Sequence, residues 1–81
     1  MPGKLTKQAK VTTIENAAPD ENLLIQVADR MMKVVEFTVD VETGNYVVTV
    51  KTSDGDTYNV MVRPNWLVVR VPQFIYNQWV G

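Results

Sequence analysis

Cysteine and histidine are both absent from the 81-residue sequence. The first absence excludes any disulfide. Together they remove the commonest zinc ligands and the usual nucleophile–base pairs of covalent catalysis. An excess of charge of one sign is also missing, since eight basic residues stand against nine acidic ones for a net charge of −1. A dedicated electrostatic nucleic-acid binder carries a strong basic excess instead. No apolar run approaches the roughly 18 residues of a membrane-spanning helix, and the N-terminus lacks the continuous apolar stretch of a signal peptide. Neither a glycine-rich phosphate loop nor a dinucleotide fingerprint occurs. These absences lead us to expect a non-enzymatic protein without cofactor or metal and without a membrane partner. The compartment expected is reducing: cytoplasmic, or the virion were the chain viral.

A chain of this length makes one domain. It buries only about 60% of the surface its unfolded chain exposes, and such a core rarely supplies more than roughly 3–5 kcal/mol. With no disulfide or metal as a staple, pairing with another copy or another protein is the remaining source of stability. Protein partners or self-association are therefore expected.

What is present is punctuation and alternation. Gly44, Gly55, Pro19, Pro64 and Pro72 all fall between apolar runs, as in a chain whose turns are written locally. Residues 1–19 are polar and carry Lys4, Lys7 and Lys10 without a nearby acid. They read as an arm, flexible or ordered by a partner through Leu5, Val11 and Ile14. Residues 20–81 read as a single small β-rich domain. Within it, residues 20–33 read as a short helix. Asp20 caps the first turn, and Leu24, Val27, Ala28 and Met31 form an apolar stripe. A strand through Leu23, Ile25 and Val27 is the competing reading.

From Met31 onward the period becomes two: Val35, Phe37, Val39 and Val41 alternate with Glu36, Thr38, Asp40 and Glu42, which is a half-buried strand. Runs at 45–52, 57–63 and 66–71 continue the pattern, with a fifth strand expected at 74–80. A loop at Thr43-Gly44 would pair Val41 with Tyr46 and Phe37 with Val50. An odd-length loop centred on Gly55 would pair Val50 with Val60, and a loop at Pro64-Asn65 would pair Val62 with Leu67. The expected fold class is thus mainly β (α+β). A short N-terminal helix precedes a four- to five-stranded antiparallel meander, open or closed into a small SH3- or OB-like barrel.

Few residues suggest chemistry. Asp54 and Asp56 straddle Gly55, but a calcium site needs six to eight oxygens, and a solvated turn is the simpler reading. More informative is the face opposite the expected core, which these registers give Val47, Met61, Arg63, Trp66 and Val68. Arg63 would lie opposite Trp66 for a cation–π contact. Such a face is too apolar to meet only water, and Trp and Arg are favoured at interface hot spots. Phe74, Tyr76 and Trp79 cluster near the C-terminus, suited to docking as an edge strand on the chain's own sheet or on a neighbour's. Partner binding is therefore expected at Val47, Met61, Arg63, Trp66, Val68, Phe74, Tyr76 and Trp79. The function expected is a structural or interaction protein, a small subunit of a larger assembly, for which virus-particle accessory or cement proteins are an analogy. A nucleic-acid-binding small β-barrel using Trp66, Arg63, Arg70 and Lys51 is the first alternative. A small inhibitor acting by surface contact is the second.

Overall fold

Alternating apolar side chains commit most of the chain to strands. The structure, a computed structural model, describes residues 9–80. Among them, six antiparallel strands form one sheet: β1 (Lys10–Thr13), β2 (Leu23–Val27), β3 (Arg30–Val39), β4 (Tyr46–Lys51), β5 (Thr57–Val62) and β6 (Leu67–Arg70). Their order across the sheet is β1-β6-β2-β3-β4-β5. A short 3-10 turn (Ile14–Asn16) follows β1, and one helix, α1 (Gln73–Gln78), follows β6. The mainly β, antiparallel class agrees with the sequence reading. Among the described residues the barrel does not form: β1 pairs only with β6 and β5 only with β4, which leaves two free edges.

The expected helix over 20–33 is instead a hairpin. Val27 faces Arg30 across a two-residue loop, and Ala28 and Asp29 hold φ of 50° and 68°, the type I′ turn that matches strand twist. Leu23, Leu24 and Ile25 are all buried. They belong to a central strand between β6 and β3, buried on both faces. Burial on both faces removes the alternation that identifies a strand, so the helical stripe was a coincidence of spacing.

The arm is also partly sheet. Residues 1–8 lie outside the described residues, but Lys10–Thr13 pairs with β6, and Ile14 is fully buried in the core. The tail expected as a fifth strand is helical over Gln73–Gln78. A six-residue helix is marginal alone, and side-chain anchors onto β3 hold this one.

The hairpin registers keep the expected side-chain parity with two shifts. Phe37 faces Val48 and Val39 faces Tyr46, two residues from the expected pairing, because the loop spans residues 40–45. Val41 is left exposed. A bulge between Val34 and Glu36 then flips the parity of β3. Val34 and Met32 enter the core, and Val35 faces outward. In the next hairpin Val50 faces Tyr58 and Val48 faces Val60, so the loop is odd-length as parity demands, but centred on Asp54. The expected β5–β6 hairpin is absent. β6 crosses to the other side of the sheet and inserts between β1 and β2.

That crossing bends the sheet. β4, β3 and β2 lie between β5 and β6, which in a flat sheet is four spacings of about 4.8 Å, roughly 19 Å. The link contains only residues 63–66 and is folded by a Trp66 N–H to Arg63 carbonyl bond of 3.0 Å. Even an extended link of that length reaches only about 17 Å, so the sheet must curl. Its concave side holds the core: Ile14, Leu23, Ile25, Met32, Val34, Val48, Val50, Val62 and Val68.

Two outcomes follow from this geometry. Ile14→Ala should cost roughly 2–5 kcal/mol in a denaturant titration, whereas a segment outside the fold would lose almost nothing. Replacing Ala28-Asp29 by Asn-Gly should raise stability by about 1 kcal/mol, because Ala28 occupies the left-handed region with a Cβ. No gain on that titration would mean the turn is not type I′.

Candidate interaction surfaces

The sequence-derived surface residues are dispersed by the fold. Val47 and Met61 remain cross-strand neighbours on the convex face of β4 and β5, with Met61 54% exposed. Beside them a shallow depression of about 350 Å³ is lined by Glu36, Phe37, Thr38, Val47, Thr49 and Asn59. Arg63 and Trp66 sit in the β5–β6 link, where the expected cation–π contact is replaced by the backbone turn bond. Val68 does not belong to the surface. It is fully buried in the core between Thr12 and Ile25, because β6 pairs with β1 and β2 and its parity is inverted relative to the expected hairpin.

The C-terminal aromatics divide in the same way. The Tyr76 hydroxyl donates to the Val34 carbonyl at 2.7 Å, and Trp79 Nε1 donates to the Met31 carbonyl at 2.8 Å. The first bond falls where the β3 bulge disrupts the ladder. Lys33, opposite the like-charged Lys51, lies 5.4 Å from the centre of the Tyr76 ring. A cation over an aromatic face is stabilised, which offsets the repulsion between the facing lysines. These anchors lay α1 over the convex side of β2 and β3 and account for the burial of Leu24, which points away from the core. Tyr76 and Trp79 are thus intramolecular docking residues, while Phe74 is exposed. Burial pushes the Tyr76 pKa up.

Near the β1 edge a second depression, of about 240 Å³, is lined by Lys10, Val11, Thr12, Asn16, Glu21 and Arg70. Arg70 Nη1 meets Glu21 Oε2 at 2.7 Å, and the Ala18 N–H donates to Glu21 Oε1 at 2.8 Å. This pair is 49 residues apart in sequence, so no local pattern announces it. Arg70 lies in register with Leu23, on the concave side, and not beside Trp66 and Lys51 as a nucleic-acid platform would require. The acidic turn is solvated: Asp54 and Asp56 are exposed. Among the described residues no three carboxylates converge on a metal-sized site.

No protein-family model matches the chain, and no curated protein or solved structure matches it.

The Glu21 site has a defined pH signature. The Ala18 N–H bond, then Arg70, hold its carboxyl below the usual carboxylate value. A depressed folded pKa contributes stability above the unfolded value, lost as pH falls through the folded one. Thermal midpoints should show Glu21→Gln less stable than wild type at neutral pH. The two should converge as pH falls below the ordinary glutamate value and then through the lower folded one. A difference that persists unchanged into acid would show that the carboxylate's charge plays no part.

Proposed function

We propose that the protein is a non-enzymatic interaction module, a small subunit of a larger assembly. The observation that carries this reading is an apolar surface on the convex side of β1 and β6. Leu67 is 60% exposed and Val11 65%. Leu67 faces Thr13 and Val11 faces Val69, which makes Leu67 and Val11 diagonal neighbours on one face. Trp66 precedes Leu67 in the chain and is 40% exposed, with its indole held by an Nε1 bond of 3.2 Å to the Gln26 carbonyl. Tryptophan is among the residues enriched at binding hot spots. An apolar surface of this kind on a small chain marks a contact site. The cysteine-free composition suits a reducing compartment.

The test separates binding from folding. With the full chain as bait, affinity purification should recover a stoichiometric protein partner that Leu67→Asp loses. Thermal midpoints of the two should agree closely, because surface substitutions usually change stability by less than about 0.5 kcal/mol. Equal recovery with both chains would remove this surface from the proposal. Salt-sensitive retention on single-stranded DNA, with no protein recovered, would favour the nucleic-acid alternative.

A further inference from the structure

Among the described residues the β5 edge of the sheet is a full strand of unpaired backbone, and its bonds to β4 fix its hydrogen-bonding phase. Thr52 N–H donates to the Asp56 carbonyl at 2.8 Å, in phase with the Val50–Tyr58 and Val48–Val60 pairs. Antiparallel pairs alternate between bonded and non-bonded. Tyr58, Val60 and Val62 therefore exchange bonds with β4, while Thr57, Asn59 and Met61 aim their N–H and C=O groups outward. The 2.8 Å bond from Thr49 Oγ1 to Asn59 Oδ1 fits a non-bonded pair, whose side chains are closer.

Edges of this kind are usually guarded by lysine, proline or a bulge. β1 is short and begins with Lys10. β5 has none of these devices: TYNVMV carries no charge and no proline, and its register with β4 is unbroken. Thr57, Tyr58, Asn59 and Met61 are all exposed.

We propose that β5 pairs antiparallel with β5 of a second copy, about a two-fold axis through Asn59. The phase allows one register that uses every outward group: Asn59 opposite Asn59, and Thr57 opposite Met61 twice. This alignment keeps both core faces on the same side and sets Tyr58 against Val60, an aromatic–β-branched pair. The same register carries Arg63 to Gly55 of the second copy, between its Asp54 and Asp56. Among the described residues the single ion pair is Arg70–Glu21, so these three charges are unspent within the chain. The arrangement is self-complementary, as a two-fold interface must be. Edge pairing alone lies at the small end of specific interfaces, so the dimer is concentration-dependent. The proposal extends the interaction-module reading, and rests on it for its biological sense. It concerns a different surface, and it is tested on the purified chain alone, so a failure here leaves the β1–β6 result standing.

Sedimentation equilibrium should show a mass rising with concentration from 9.2 kDa towards twice that value. Asn59→Lys sets like charges against each other on the axis and should weaken dimerisation at least tenfold. Arg63→Asp should weaken it about tenfold, from two reversed surface pairs. Mixing Arg63→Asp with an Asp54→Lys/Asp56→Lys chain should restore association between the two variants. The chain contains no cysteine, and Cα atoms of a bonded antiparallel pair lie about 5.5 Å apart, within disulfide reach. Asn59→Cys should therefore oxidise to a covalent dimer, and Thr57→Cys should not. A mass fixed at 9.2 kDa up to millimolar concentration would overturn the proposal. Equal cross-linking of both cysteine variants would overturn the register.

Discussion

The insertion of β6 between β1 and β2 governs the rest of the structure. It joins residues near the two ends of the chain, with Lys10 and Leu23 both in register with Arg70. Further backbone bonds seal the junction, from Ile14 to Trp66, Glu15 to Pro64 and Val71 to Asn22. Because β5 and β6 are joined by so short a link, this pairing cannot form on a flat sheet. Curvature follows from it, and the concave core follows from the curvature. Val68 and Ile14 reach the centre only because β6 and β1 are drawn in beneath the bend. Pairing of this range forms only after a large loop-closure entropy has been met, so the central strands depend on the ends.

The convex side is divided unevenly. α1 covers it over β2 and β3, fixed by two side-chain bonds to β3 carbonyls and by the Lys33–Tyr76 contact. The β3 bulge lets this happen, since it turns Val34 inward and opens the ladder where Tyr76 arrives. On either side of the helix the convex face stays open, towards β1 and β6 in one direction and towards β4 and β5 in the other. Val11, Leu67 and Met61, all exposed, lie on these two wings.

A domain of this size has little stability to spare, and this one has no cysteine with which to form a disulfide. A partner on either wing, or a strand on the β5 edge, would bind the folded chain and not the unfolded one. It would thereby raise stability by mass action. Association on any of these surfaces would therefore be coupled to folding.

The sequence by itself determined the strands with one face in water. β4 and β5 alternate in simple two-residue steps, so their parity and the odd-length loop between them were legible, although the register moved by two residues. It also determined the absence of disulfide and histidine chemistry. Three features were left to the tertiary structure. Leu23 to Ile25 became a strand because neighbours cover both of its faces, and a segment buried on both sides has no alternation to read. Residues 73–78 became a helix because Val34 and Met31 present carbonyls to Tyr76 and Trp79, a contact more than 40 residues long in sequence. Val68 moved from the expected partner surface into the core because β6 chose β1 and β2 over β5. Each of these outcomes depends on contacts between residues far apart in the chain. Local pattern has no access to them, since hydrophobic periodicity records how many faces are buried but not which strand does the burying.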